Sequence, residues 1–238
     1  MSSIKGIIFD YGGTIDTNGI HWGEFIWDQY QKAGVDIPRE IYREAYVYGE
    51  RFLAKHPVVE STDTFHSLLR KKIAIHFDFL RERVADGIFK AETAEAIADG
   101  CYDKVKTTLE TSYTIVEKLA GQYPLVLVTN FYGNMNVVLK EFNLSRYFKS
   151  IVESSVVGLR KPDPALFALG VEKLELKAHE IAVIGDSYRK DIYPSSTLGC
   201  KTVWLKNICW EEEPVIEGHE ATVTINTITE LAQIIEQI

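Results

Sequence analysis

Residues 4–14 read Ile4-Lys5-Gly6-Ile7-Ile8-Phe9-Asp10-Tyr11-Gly12-Gly13-Thr14. An apolar run ends in one acid, followed by an aromatic residue and two glycines. Apolar runs that are continuous rather than alternating suit strands buried on both faces of a parallel sheet. Working outward, further short runs rich in β-branched residues occur at 125–128, roughly 149–152, 181–184 and 202–205, with a weaker one at 221–225. Helix-like stretches at 113–120, 135–142 and 165–174 separate the later runs. Alternating strand and helix predicts right-handed βαβ units in a doubly wound α/β layer structure.

The pattern changes between residue 17 and about residue 110. This segment is rich in charge and aromatics, with helical periodicity and little strand signal. EFIWDQYQKAG reads as a helix ending at Gly34, and Pro38 opens a second, REIYREAYVYGERFLA. FHSLLRKKIAIHFDFLRERV and ETAEAIADGCYDKV read as a third and a fourth. The expected division is therefore an α/β core over 1–16 and 111–238, interrupted by a helical insertion over 17–110.

Bulk properties bound the function. The 238 residues are 46% apolar and 25% charged, with a net charge of −8, ordinary for a soluble globular chain. An acidic balance argues against a nucleic-acid surface. Three widely spaced cysteines, Cys101, Cys200 and Cys209, fit neither a disulfide framework nor a zinc site. No run approaches the length of a membrane span, and the first is too short for a secretory signal. A cytoplasmic chain with no membrane and no nucleic-acid partner is expected.

Ligands of open α/β sheets sit beyond the carboxyl ends of the strands. Asp10 follows the first run and Thr129-Asn130 the second. Lys161 follows the third at a distance, in GLRKPDP, while Asp186 and Asp191 follow the fourth, in GDSYRKD. Clustered acids repel unless a cation joins them. A hard divalent ion held by carboxylates, water and substrate oxygens answers that need, and Mg²⁺ prefers such a mixture. Lys161 adds a point charge able to hold a phosphate, and Asp10 is placed to act as a nucleophile on phosphorus.

The series resembles the haloacid dehalogenase (HAD)-like hydrolase superfamily. FDYGGT resembles its first motif, VTN its second, the lysine of GLRKPDPALF its third and GDSYRKD its fourth. The motifs fall in family order across nearly the whole chain. The resemblance implies a Rossmann-like core, an α-helical cap inserted after the first strand, Mg²⁺ and phosphoryl transfer from a small phosphorylated metabolite. It assigns Asp10 as nucleophile and metal ligand, the Gly12 carbonyl as a second ligand, and Asp186 and Asp191 as direct and supporting metal acids. Thr129 and Asn130 become phosphate contacts, and Lys161 the charge-balancing lysine.

One departure stands out. Phosphatases of the family carry an acid–base aspartate two residues after the nucleophile; here that position is Gly12. General acid–base help is typically worth about 10²–10⁴-fold, or roughly 3–5 kcal/mol of barrier. Asp16 and His21 are candidates for a displaced acid. Two branches also lack the aspartate. Haloacid dehalogenases displace halide without metal, whereas phosphonatases keep the metal and use a Schiff-base lysine in the cap. Lys32, Lys55, Lys71, Lys72 and Lys90 all lie in the insertion, with nothing in the sequence to single one out. A degenerate domain that binds a phosphometabolite without turnover is a third alternative.

Plainer roles stand beside these. Asp163-Pro164 reads as an N-cap followed by proline at the first helical position. His21, His56, His66 and His76 read as ordinary residues of the insertion. Trp22, Trp27, Tyr30, Tyr46 and Tyr48 read as its apolar core, some of them facing the cleft. Glu211-Glu212-Glu213 reads as a solvated loop.

Overall fold

The computed structural model describes residues 3–84 and 86–238. The first two residues of the expected core segment, and Ala85 of the expected insertion, lie outside the described residues. Six strands carry the chain: β1 (Gly6–Phe9), β2 (Leu125–Thr129), β3 (Phe148–Glu153), β4 (Ile181–Gly185), β5 (Lys201–Leu205) and β6 (Val223–Ile225). They form one sheet in the order β3-β2-β1-β4-β5-β6, and every neighbouring pair is parallel. Each strand begins and ends within two residues of the run that predicts it. β1 shows why its run is unbroken: Ile7 and Phe9 pack into one apolar cluster, while Ile8 packs into another on the opposite face. This is the doubly wound Rossmann-like α/β architecture.

Between β1 and β2 lie α1 (Trp22–Lys32), α2 (Arg39–Lys55), α3 (Phe65–Arg81) and α4 (Ala91–Ala120). Thr64 caps α3, its hydroxyl accepting the Ser67 N–H at 3.1 Å. The two helices expected at the end of the insertion and at 113–120 are one helix of 30 residues, about 45 Å long. Residues 106–112 hold neither Gly nor Pro. Val105, Leu109, Ser112, Val116 and Leu119 keep one buried face continuous through them. Thr107 and Thr108 bond back to the carbonyls of Asp103 and Lys104, each at 3.1 Å.

Beyond β2 come α5 (Met135–Glu141), α6 (Ser154–Val157), α7 (Pro164–Leu174), α8 (Tyr193–Thr197) and α9 (Leu231–Ile234). Asp163 caps α7 as its sequence predicts, accepting the Ala165 N–H at 2.9 Å. α4 packs on α1 and α3 and also touches α9. Phe25, Tyr30, Tyr42 and Phe77 of the inserted helices therefore share one buried cluster with Ile7, Phe9 and Leu127 of the sheet. The helices sit over the strand ends, where β1 lies between β2 and β4 and the crossovers diverge. No helix among the described residues is long and apolar enough to cross a membrane.

Candidate active site

The carboxyl ends of β1, β2 and β4 open into a cavity of about 110 Å³, roofed by α1–α3. Of the residues that the sequence singles out, Asp10, Gly12, Thr129, Asn130, Lys161, Asp186 and Asp191 all line it. Asp10 is 5% exposed and Lys161 likewise 5%, so their charges meet in a poorly solvated space. The Lys161 ammonium lies 2.6 Å from Asp10 Oδ1 and 2.7 Å from Asp191 Oδ1. Asp10, Asp186 and Asp191 each offer an oxygen within 4.8 Å of the others.

Lys161 pairs with Asp10 and Asp191, and Lys190 acts on Asp186 from the cavity wall, yet neither cation offsets the burial of Asp10 and Asp186. Burial pushes the Asp10 carboxyl up to about 6 against the pull of Lys161. Burial, with Asp191 and Asp10 nearby, drives Asp186 well above the usual carboxylate range. Burial alone would lower the Lys161 ammonium, yet Asp10 and Asp191 hold it above the ordinary lysine value. A cluster of hard oxygen donors with unbalanced charge fits a divalent cation.

Local structure fixes these groups. Thr14, which sequence reasoning missed, donates to Asp10 Oδ2 at 3.0 Å and reaches Asp186 Oδ1 at 3.5 Å. Gly13 has φ +99°, and a Cβ there would fall inside the Asp186 carboxylate. Glycine is required on both counts. The Asn130 side chain spends both ends on the Lys161 main chain, accepting its N–H at 2.9 Å and donating to its carbonyl at 3.2 Å. Asp191 Oδ2 accepts the Ser187 N–H at 3.1 Å. Of the triple-glutamate loop, Glu213 is held rather than free in solvent: it accepts from the Ser187 hydroxyl at 2.8 Å and the Arg189 N–H at 3.0 Å.

Gly12 is flanked only by Trp22, whose indole Nε1 and Cδ1 would lie 3.8 and 3.9 Å from an added Cβ. Neither neighbouring candidate acid is simply exposed to the cavity as a proton donor. Asp16 is fully buried and does not line the cavity; its carboxylate accepts from Gly13 N–H at 2.7 Å and Trp22 Nε1–H at 3.0 Å. Burial, reinforced by the Asp10 charge, pushes it up to about 8. His21 does line the cavity, but burial lowers its imidazole to about 3, and its Nδ1 accepts the Gly23 N–H at 3.0 Å.

The inserted helices supply the roof: His21, Trp22, Tyr46, Glu50, Phe65 and Lys72 among others. Lys72 is 6% exposed and pairs with Glu50 at 2.6 Å. Tyr132 Oη, from the loop after β2, donates to Glu50 Oε2 at 2.9 Å. Burial alone would raise Glu50, but Lys72 brings it down to about 2. Glu50 in turn holds Lys72 above the ordinary lysine range despite its burial. Lys32, Lys55 and Lys90 are exposed, and Lys71 is occupied by Asp63 at 2.6 Å and the Val58 carbonyl at 3.0 Å.

A parallel sheet with three acids and a lysine gathered at its carboxyl edge defines a doubly wound α/β domain with a site for a cation and an anionic ligand. The model of haloacid dehalogenase-like hydrolases matches residues 4–193, and a HAD-hydrolase-like model matches 158–231. The chain belongs to the haloacid dehalogenase-like hydrolase family. Among its curated relatives, a glyceraldehyde 3-phosphate phosphatase of Methanocaldococcus jannaschii is 30% identical over 99% of this chain and 98% of its own length. A glyceraldehyde 3-phosphate phosphatase of Pyrococcus furiosus is 24% identical, the match spanning 53% of this chain and only 58% of the relative. The pyrimidine 5'-nucleotidase YjjG of Escherichia coli is 27% identical over 65% of this chain and 66% of its own. Solved structures share the fold at lower identity. A dehalogenase with an intermediate complex superposes with a TM-score of 0.65 at 15% identity, covering 99% of both chains. YfnB of Bacillus subtilis superposes at 0.61 and 16% identity, covering 98% of this chain and 99% of that one.

Proposed function

We propose that this chain is a Mg²⁺-dependent phosphatase that hydrolyses a small phosphorylated metabolite through an aspartyl-phosphate at Asp10. The observation that carries the reading is the buried Asp10 carboxylate, held by Lys161 and Thr14 beside Asp186 and Asp191. Relatives described as phosphatases of glyceraldehyde 3-phosphate support a small phosphorylated metabolite as substrate, without fixing its leaving group. Residues 17–110 act as the cap over the core.

Asp10, Asp186, Asp191 and the Gly12 carbonyl would hold the ion, which when bound neutralises phosphoryl charge. Asp10 attacks phosphorus, its orientation set by Thr14 and Lys161. Lys161 holds a phosphoryl oxygen while balancing Asp10 and Asp191, and the Thr129 hydroxyl meets another. Asn130 contributes by clamping the main chain of Lys161. The cap roof confines the reacting atoms to a cavity of about 110 Å³ that holds only a few waters, which strengthens each of these charge contacts.

The phosphonatase alternative needs a neutral lysine amine to form an imine. Lys72 is the cap lysine that lines the cavity, and its pairing with Glu50 favours the ammonium, which weighs against that chemistry. Asp10→Asn should abolish phosphate release from a panel of phosphorylated metabolites supplied with Mg²⁺. Full activity in that variant would exclude the mechanism. Tight Mg²⁺ and phosphate binding by the wild type without turnover would instead favour a degenerate binding domain.

A further inference from the structure

We propose that Lys72 stabilises the departing oxygen of the substrate, the position that Gly12 leaves without a proton donor. This deepens the phosphatase reading above and rests on it. Asp10 lines the cavity from the core side and Lys72 from the cap side, so a phosphoryl group on Asp10 directs its leaving group towards the roof. Lys72 is buried rather than solvated. Its ammonium lies 5.7 Å from the Trp22 ring centroid and 5.4 Å from that of Tyr132, two aromatic faces that favour a cation between them. Trp22 is also the side chain nearest the empty slot at Gly12.

The step balances without a new reactant. An Asp10 oxygen forms a bond to phosphorus, the P–O ester bond breaks, and its electron pair goes to the leaving oxygen. The Lys72 ammonium faces that oxyanion and remains an ammonium, kept so by Glu50. Water supplies the proton that completes the alcohol. The hydroxide left by that water then cleaves the aspartyl-phosphate, restoring the Asp10 carboxylate and releasing phosphate. A fixed charge in a water-excluded site acts most where negative charge develops. The substrate class that follows is a monoester with a stabilised leaving anion, aryl, enol or acyl phosphate before alkyl phosphate.

The test is the dependence of kcat/KM on leaving-group pKa over a series of aryl and alkyl phosphates. Lys72→Met leaves the half-buried Glu50 carboxylate without its cation, so Glu50→Gln/Lys72→Met is made beside it to remove that charge. Both should lose about 10²-fold or more on alkyl phosphates but under about tenfold on dinitrophenyl phosphate, giving a steeper slope. Lys72→Arg should move the slope part of the way back to the wild-type value. In a Gly12→Asp background the Lys72→Met loss on alkyl phosphates should shrink, because the new carboxyl supplies the proton. Equal losses across all leaving groups in the double variant, or an undiminished loss in the Gly12→Asp background, would overturn the assignment. Asp10→Asn run on the same panel separates the two readings, since surviving turnover there would remove the nucleophile and this role together.

Discussion

Gly12 and Gly13 show how much chemistry turns on a missing side chain. Gly13 is obligatory, because its left-handed φ and the Asp186 carboxylate leave no place for a Cβ. Gly12 is different: its neighbours stand at ordinary van der Waals distance, so the backbone tolerates an aspartate. Gly12→Asp should therefore fold and raise kcat on alkyl phosphates by about 10²–10⁴-fold, with a smaller gain on aryl phosphates. A phosphate-release assay over both ester types reads this directly. No gain on alkyl esters would mean that another group already donates the proton. Asp10, Lys161, Asp186 and Asp191 are legible from the sequence because each follows a strand whose end is readable. Lys72 is not, since it is one of seven lysines between residues 17 and 110. Only the packing of α2, α3 and the loop after β2 makes it the one paired with Glu50 beneath Trp22.

At the level of elements, α2 and α3 meet through an unusual contact. His76 of α3 is fully buried, and its ring fills the space that a side chain at Gly49 of α2 would need. Its Nδ1 has Tyr30 Oη at 3.4 Å, and its Nε2 has no hydrogen-bond partner. Burial, with the Lys72 charge beside it and Glu50 opposing, lowers the imidazole to about 3 from an ordinary 6.5. The folded chain thus binds one proton fewer than the unfolded chain between those values. Stability from this group is complete above the ordinary histidine pKa and is lost as pH falls towards 3. The slope is up to about 1.4 kcal/mol per pH unit. His76→Leu should flatten the acid limb of stability against pH in urea titrations; an unchanged limb would show the ring to be solvated. His76 gives no sequence signal beyond helical position. The strands are legible to within two residues, because buried parallel strands write themselves as unbroken apolar runs. The single helix α4 is not. Its polar stretch KTTLETS suggests a break, yet the buried positions Leu109 and Ser112 carry the helix through. The apolar spacing, rather than the local polarity, decides the element.

For the molecule as a whole, the continuous helix α4 and the shared apolar cluster tie the roof to the sheet. The acids beneath that roof work against the fold. Asp10 and Asp191 close on Lys161 and Asp186 feels Lys190 as well, yet burial leaves Asp10 and Asp186 as reluctant anions. An ion that binds this cluster only when the chain is folded relieves the repulsion and stabilises by mass action, about 2.7 kcal/mol at a hundred times its Kd. In a chain of this size each kcal/mol moves Tm by about 2–4 °C. Saturating Mg²⁺ should therefore raise the melting temperature by roughly 5–10 °C, and a chelator should reverse the gain. Asp186→Asn removes one of the converging carboxylates, so its melt should respond weakly to Mg²⁺ while starting no lower than that of the metal-free wild type. The readout is thermal and independent of turnover, so it tests the metal site even before a substrate is known. A wild-type melt unmoved by Mg²⁺ would show that Lys161 and Lys190 suffice to balance the acids, and would overturn the metal-dependent reading of the site.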